Sequence, residues 1–448
     1  MNATRRTFLK TVLAGTSLLV APGMLGLINA AELDSTSTAL LDDFLSPPQA
    51  AKPGAYWFFM DANLSKEGMA ADLAAMKHAG LARAIPLEVA LGAPKGKVDY
   101  MSPEWLDCWR FAAAEAEKQG IELTIPAGPG WCGAGGAWIA PENSMQHLRC
   151  SVTKVSGPGL VNVNLPVPQP RVPYFGMGSL GQFEKQWREF YKDVAVIAYP
   201  TPRQEYRLDN WEEKALFYRA PYSSGNIKPF LTLDKTEINS DALVPADKII
   251  NVTRFMDANG VLQWTAPEGV WTILRLGRRL TGQTTRPAPS AGLGLECDKF
   301  EKSGFDQNYE KFLSQFLAVG KFTTLHHDSW EMSSQNWSER FREHFIEKRG
   351  YDPLPWTPVM FGVPVESVEK SERFLWDLRR TAQELVYENN VEYMKRLGAK
   401  RGLNFSTEAY DLNPAGDLYL FRSADVPMGE FWSKNYGLNT TYSVIEAV

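Results

Sequence analysis

The sequence predicts an α/β fold of the (β/α)8 TIM-type barrel class, interrupted by an all-β insertion and incomplete, with about six of the eight strands of a closed barrel. Strand-like and helix-like segments alternate over residues 45–150 and again over residues 301–448, the pattern of a parallel sheet covered by helices. Residues 151–300 contain short apolar runs between turn sequences, which is typical of antiparallel sheets. Because 44% of the residues are hydrophobic and 22% charged, a folded globular protein is expected.

The first barrel segment opens with an aromatic strand at Tyr56–Met60. A helix over Leu64–Ala79 follows, and Gly80 is well placed to end it. The next strand is predicted at Arg83–Val89.

The second helix has the clearest boundaries in the sequence. Ser102 is a typical N-cap residue and Pro103 is favoured at the first helical position. The helix is predicted to end at Gly120, and Ile121–Pro126 reads as the third strand.

The insertion lacks helical periodicity almost entirely, and Asp257–Gly260 is a typical turn sequence within it. We predict a small β-sandwich there. Its predicted strands are Val161–Val167, Asp193–Tyr199, Lys248–Phe255 and Trp271–Arg275.

Alternating elements resume near residue 305. Three helices and three strands are predicted, which brings the barrel to about six strands rather than eight. The helices are Asp306–Val319, Ser338–Arg349 and Ser371–Arg401, and the strands are Phe322–Ser329, Asn404–Ala409 and Met428–Trp432.

Residues 1–30 are interpreted as a twin-arginine export signal rather than as part of the fold. Arg5 and Arg6 precede an apolar run from Thr11 to Ile28 that contains glycine and proline, and Ala30 supplies a small residue for cleavage. An uncleaved N-terminal anchor is the alternative. We expect a periplasmic or secreted protein without stable membrane insertion once the signal is removed.

Charge and cysteine content exclude two classes of site. The net charge of −5 gives no electrostatic attraction to nucleic acid. The four cysteines have no zinc-site spacing, and they are Cys108, Cys132, Cys150 and Cys297. Free thiols are favoured over disulfides, because twin-arginine substrates fold before export, in a reducing compartment.

Acidic residues follow several predicted strands, where a barrel places its active site. Glu331, Glu408 and Glu430 each come after an apolar or aromatic run, so partial burial is expected to raise a carboxyl pKa and prepare an acid. A protonated and an ionised carboxyl group together are what glycoside hydrolysis requires. Each glutamate alone could equally be a structural hydrogen-bonding group.

The adjacent His326 and His327 argue against a zinc site. Neighbouring residues on a strand point to opposite faces of the sheet, so the two imidazoles cannot easily share one ion. An oxygen-binding ion such as Ca²⁺ is more compatible with the acidic residues nearby.

The sequence resembles the glycoside hydrolase family 106 α-L-rhamnosidases from about residue 45 to residue 448, least clearly across the insertion. The matching motifs appear in the family's order. They are Tyr56-Trp-Phe-Phe-Met-Asp-Ala-Asn63 with Ser65-Lys-Glu-Gly68, Tyr100-Met-Ser-Pro-Glu-Trp105, Gly130-Trp-Cys-Gly133 running to Gln146, Asp328-Ser-Trp-Glu331 with Gln335-Asn-Trp337, Arg349-Gly-Tyr-Asp-Pro353, and Pro427-Met-Gly-Glu-Phe-Trp432.

The resemblance implies an inverting, calcium-assisted enzyme that releases terminal α-L-rhamnose from plant polysaccharides or glycosides. It implies that Glu331 is the general acid and Glu430 the general base. Asp328 and Glu408 match positions around the sugar or the calcium ion. Asn63, Trp131 and Trp330 lie in the matched motifs, and we assign them to substrate binding.

Family members extend well beyond the C-terminus of this sequence, so we expect a truncated chain of low stability and little activity, since an open barrel exposes sheet edges and apolar surface. Two other functions stay open. One is a retaining glycosidase, whose catalytic carboxyl groups would be only about 5–5.5 Å apart. The other is a carbohydrate-binding protein without catalysis.

Overall fold

The computed structural model describes residues 40–131, 133–218, 231–409 and 415–429. The predicted export signal, Cys132 and Glu430 therefore lie outside the described residues. The chain divides into two compact units, residues 1–53 and residues 54–448. The described part of the first unit contains a helical stretch at residues 40–45 and a single 3-10 turn at Gln49–Ala51.

A six-stranded sheet in which every pairing is parallel forms the centre of the second unit. The strands are β1 (Gly54–Met60), β2 (Arg83–Val89), β3 (Glu122–Pro126), β10 (Thr324–His327), β11 (Asn404–Glu408) and β12 (Val426–Met428). They are hydrogen-bonded in this order, so the first three strands of the described chain lie beside the last three.

The two faces of β1 have different environments. Trp57 and Phe59 are buried and pack edge-on against Trp109 of the second helix. The alternate residues Phe58 and Met60 are 45% and 39% exposed. The helix-covered face of β1 therefore carries core residues, and the opposite face of this strand is partly exposed.

Helices α1 (Lys66–His78) and α2 (Pro103–Gln119) connect the first three strands. The α2 boundaries are those predicted: the Ser102 hydroxyl accepts a hydrogen bond from the Trp105 N–H, and Gly120 ends the helix in the left-handed conformation at φ 67°. The capping residues alone were therefore sufficient to predict where this helix begins and ends.

The insertion is all-β in its main elements but differs from the predicted sandwich. The described residues form one four-stranded antiparallel sheet in the order β5-β8-β6-β7, beside a two-stranded β4-β9 ladder. Two strands are much longer than predicted, because β5 and β8 pair along nearly their whole length. The bounds are β4 (Gly135–Gly136), β5 (Gln146–Asn164), β6 (Lys192–Pro200), β7 (Ile250–Asn251), β8 (Val261–Leu280) and β9 (Leu295–Glu296), with short helices α3 (Glu184–Glu189) and α4 (Trp211–Lys214).

Two long helices after the insertion each consist of α-helical pieces joined by a π-helical segment. Residues 302–317 are continuously helical through a π-helical segment at Tyr309–Leu313, and residues 368–399 through another at Val386–Val391. The α-helical pieces are α5 (Lys302–Asn308), α6 (Ser314–Leu317), α7 (Phe341–Arg349), α8 (Thr357–Met360), α9 (Val368–Leu385), α10 (Glu392–Ala399) and α11 (Asp417–Phe421).

Two sequence-based expectations can be compared with the described residues. None of the helices there is both long and apolar enough to cross a membrane. The three described cysteines, Cys108, Cys150 and Cys297, are free thiols.

Glu88 of β2 lies beneath α2, where the Trp105 indole N–H donates to its Oε2 at 2.5 Å. Burial raises the pKa of Glu88 to about 8. A folded state that holds this proton more tightly than the unfolded state loses stability as the pH rises from about 4.5, the usual carboxyl pKa, to about 8. Outside that range Glu88 contributes no pH dependence.

We expect the Glu88→Gln variant to lose this part of the pH dependence, which amounts to at most about 1.4 kcal/mol per pH unit. Urea unfolding at pH 5.5 and pH 8 measures it in both proteins. Glu67→Gln, an exposed position in α1, is the control and should unfold like the parent at both values. An equal pH slope in E88Q and the parent would contradict the assignment.

Candidate active site

Three carboxylates converge at the C-terminal ends of β10 and β11. Asp328 directly follows β10 and Glu408 is the last residue of β11, and the parallel pairing of His327 with Thr407 brings these two ends side by side. The Asp328 and Glu408 side chains are hydrogen-bonded to each other, and Glu331 is close enough for its charge to act on Glu408. The structure thus brings together three of the acids singled out from the sequence.

Glu408 has a strongly raised pKa. Burial is the main cause that raises its pKa to about 9, and the shared hydrogen bond and negative charge of Asp328 add to the effect. Two carboxyl groups this close cannot both ionise easily, so in the absence of a cation the pair holds a proton.

Glu331 is held from two sides. The Trp131 indole N–H donates to its Oε2 at 3.1 Å, and the Ser329 hydroxyl donates to its Oε1 at 3.1 Å. Its side chain is half-buried. The Glu331 carboxylate is therefore oriented by fixed donors while it keeps access to the open side of the site.

The loop that carries Trp131 is attached to the loop that carries Glu331. The Gly133 N–H donates to the Ser329 carbonyl at 3.1 Å. Behind this contact, Lys299 Nζ donates to the Ala134 carbonyl and to Glu296 Oε2, both at 2.9 Å. Glu296 Oε2 also accepts from the Ala134 N–H at 3.2 Å. The buried Lys299–Glu296 ion pair therefore binds both the N–H and the carbonyl of Ala134.

Two further side chains, one from β1 and one from β10, lie against the acid pair. The Tyr56 hydroxyl of β1 donates to Glu408 Oε2 at 3.4 Å. His326 Nδ1 lies 2.8 Å from the Ser406 hydroxyl, and its Nε2 lies 3.5 Å from Asp328. Burial lowers the pKa of His326 to about 4, so the imidazole is neutral at physiological pH.

His327 has different partners from His326, as the alternation of side chains along a strand predicts. Its Nδ1 lies 3.3 Å from the Thr407 hydroxyl, and the positive charge of Lys299 acts on it. The described residues contain no group of three or more His, Cys, Asp or Glu side chains arranged to hold a metal ion.

Two residues that were predicted to bind substrate make contacts within the protein instead. Trp330 is 0% exposed, its indole N–H donates to the Ser333 carbonyl at 2.9 Å, and Lys299 Nζ lies 5.8 Å from its ring centroid. A side chain so fully enclosed cannot contact a sugar. Asn63 is exposed but uses its amide to bind the Met60 and Pro94 carbonyls at 2.8 and 2.7 Å, which closes the loop after β1.

Sequence reasoning did not single out Tyr56, Lys299 or Glu296 for a role at the site. Tyr56 lies in a recognised motif, and its alternation with the buried Trp57 is a signal that it faces the other side of β1. Glu296 ends β9 and Lys299 follows it near the end of the insertion, where no local pattern marks a buried ion pair. Glu430, the predicted base, falls outside the described residues.

The comparisons decide the family. The Glyco_hydro_106 family model, described as alpha-L-rhamnosidase, matches residues 45–447. The chain belongs to this α-L-rhamnosidase family. The resemblance inferred from the motifs is thereby confirmed.

Two proteins that are similar to this member of the α-L-rhamnosidase family carry the names of different enzymes. A solved structure described as a rhamnosidase from Novosphingobium sp. PP1Y is 25% identical, with a TM-score of 0.72 over 88% of this chain and 50% of that one. A curated protein of Formosa agariphila, named "Putative beta-glucuronidase", is 38% identical over 407 residues, 89% of this chain. The chain spans half the length of the first protein and 33% of the length of the second.

Proposed function

We propose that this protein is a glycoside hydrolase that removes terminal α-L-rhamnose from plant polysaccharides or glycosides by an inverting, two-carboxylate mechanism. The observation that carries the proposal is Glu331, held by Trp131 and Ser329 beside the Asp328–Glu408 pair at the strand ends. Family membership and the Novosphingobium structure support it.

In this mechanism Glu331 donates a proton to the departing glycosidic oxygen, and Glu430 removes a proton from the attacking water. Inversion requires the two carboxyl groups to lie roughly 6.5–9.5 Å apart, with the water between them. The two donors on Glu331 fix the direction in which its proton is presented. Tyr56 donates a hydrogen bond to the neighbouring Glu408, and the neutral His326 lies beside Asp328.

Calcium assistance is part of the proposal, with Asp328 and Glu408 as the protein ligands. Carboxylate oxygens are the donors that Ca²⁺ prefers, and a cation would replace the proton that the pair now shares. Ca²⁺ usually takes about six to eight oxygen ligands, so this pair would supply part of its coordination. Bound calcium would supply positive charge that orients the rhamnose hydroxyl groups.

Hydrolysis of p-nitrophenyl α-L-rhamnoside, followed with and without a calcium chelator, tests the proposal. We expect release of β-L-rhamnose as the first sugar product, seen by NMR, and a loss of most activity with the chelator that added Ca²⁺ restores. Calcium should also raise the melting temperature of the chelated protein. First release of α-L-rhamnose would show retention, and sugar binding without turnover would favour a non-catalytic protein.

The Formosa relative's name favours one second candidate, a β-glucuronidase. Hydrolysis of p-nitrophenyl β-D-glucuronide in preference to the rhamnoside would establish it in place of the first.

We further propose that residues 1–30 direct export by the twin-arginine route, on the basis of Arg5, Arg6 and the apolar run that follows. Recovery of the mature protein from the periplasm or the medium would test this location.

A further inference from the structure

A cavity of about 490 Å³ lies in the insertion, apart from the candidate active site. Its lining includes none of Asp328, Glu331 and Glu408. Its volume falls within the range of roughly 300–1,000 Å³ that is usual for small-molecule sites. One face of the antiparallel sheet forms one wall, and residues 201–212 with Phe361 and Val363 form the other.

The sheet contributes polar side chains in one row across three strands. Lys154 of β5 pairs with Thr272 of β8, and Thr272 pairs with Tyr199 of β6, so these residues share a face. The hydroxyls of Thr272 and Thr201 lie 2.7 Å apart. The wall is therefore a set of rigid strand positions that present hydroxyls and one ammonium group.

Two guanidinium groups line the same cavity. Arg149 Nε donates to the Gln169 carbonyl at 3.1 Å, and its guanidinium lies over the Phe217 ring at 5.4 Å. Arg207 Nη1 donates to the Phe361 carbonyl at 2.6 Å. Neither arginine has a carboxylate within ion-pair distance among the described residues, so most of their N–H donors are not used by acids of this chain.

The acidic groups of the cavity do not balance this positive charge. Glu212 is paired with Arg171 at 2.7 Å, which leaves Glu205 against Arg149, Arg207 and Lys154. The Cys150 thiol lies close to both arginines, yet burial raises its pKa to about 12 and keeps it neutral. A ligand with a negative charge is thus favoured electrostatically.

Aromatic side chains complete the lining. Trp211 and Tyr206 are half-buried at the cavity, and the Tyr206 hydroxyl is fixed by donation to Asp234 at 2.6 Å. Aromatic rings pack against the C–H faces of sugars, whereas a guanidinium binds a carboxylate or sulfate through paired N–H donors. Together the groups suit a sugar that carries an anionic substituent.

We propose that this cavity is a second carbohydrate site, which binds an acidic sugar unit through Arg207 and Arg149. The shared chemistry of its ligands is a carboxylate or sulfate group on a pyranose. This site is additional to the proposed hydrolytic centre and shares no residue with it. It therefore predicts affinity for acidic sugars whether or not the protein hydrolyses rhamnosides.

Isothermal titration of the full chain with D-glucuronate, galactose 6-sulfate, D-glucose and inorganic sulfate tests the proposal. We expect saturable binding of at least one acidic sugar, at least ten-fold tighter than D-glucose and than inorganic sulfate. The preferred acidic sugar distinguishes a uronate site from a sulfate site. Binding of D-glucose as tight as the acidic sugars, or no saturable binding of either, would overturn the proposal.

Variants locate the binding. Arg207→Ala should weaken binding of the acidic sugar at least ten-fold and leave rhamnoside hydrolysis as it is in the parent. The matched control is Arg254→Ala, an exposed arginine of the insertion outside the cavity, which should change neither property. Glu331→Gln should retain binding, which separates this site from the hydrolytic one. Unchanged binding in R207A, with the protein folded by circular dichroism, would refute the assignment.

Discussion

Replacing Glu331 with glutamine is expected to lower kcat for an α-L-rhamnoside with a poor leaving group by about 10²–10⁴-fold, the usual contribution of general acid catalysis. Glutamine can keep both contacts, because its amide oxygen can accept from the Trp131 indole N–H while its amide N–H donates to the Ser329 hydroxyl oxygen. The fold and the sugar affinity should therefore change little, and the loss should appear in kcat rather than in KM.

The leaving group separates an acid from a structural residue. A 2,4-dinitrophenyl rhamnoside needs little protonation of its departing oxygen, so E331Q should approach parent activity on it. The matched control is Glu347→Gln, an exposed position on α7, which should behave as the parent on both substrates. An equal loss on both substrates would exclude Glu331 as the general acid.

The second large effect, a loss of folding stability, is expected from Lys299→Met. Lys299 and Glu296 are both 0% exposed and form an ion pair at 2.9 Å. Removal of one partner leaves a buried charge, which typically costs about 3–5 kcal/mol. Burial already raises the pKa of Glu296 to about 7, so without Lys299 this group should take up a proton more readily, and K299M should be less destabilised at pH 6 than at pH 8.

Two further variants make this prediction specific. Adding Glu296→Gln to K299M removes the unpaired charge but keeps an acceptor for the Ala134 N–H, so the double variant should be more stable at pH 8 than K299M. Lys395→Met breaks the partly exposed pair with Asp425 and should cost no more than about 1 kcal/mol. Chemical denaturation measures all three, and a K299M loss as small as that of K395M would contradict the prediction.

Elements with local signals were predicted well. The β2 strand at Arg83–Val89 and the helix from Pro103 to Gly120 follow from apolar alternation and capping residues that act within a few positions. The lengths of β5 and β8 could not be predicted in this way. Gly157 and Pro158 are typical of a turn, whereas here the register shifts between Gly157 and Gly159 and both strands continue.

The strand-end positions of three acids were predictable. Asp328 and Glu331 lie in a motif that follows a predicted strand, and Glu408 lies in the next predicted strand. Trp330 could not be placed in this way. It stands between Ser329 and Glu331 in the motif, but its ring is buried in contact with Lys299 and Ser333, which sequence order does not reveal. The predicted spacing of Glu331 and Glu430 stays a prediction.

The insertion also has a consequence for how the central sheet can assemble. β3 and β10 pair directly, Thr124 with Thr324, although the whole insertion lies between them in the chain. The insertion's own ladders join Gly135 to Glu296 and Gln146 to Leu280. Once they have formed, only residues 127–134 and 297–323 separate the two central strands from the insertion's ladders along the chain. The insertion's ladders thus shorten the loop between the two strands and remove part of its closure entropy, which changes only with the logarithm of loop length.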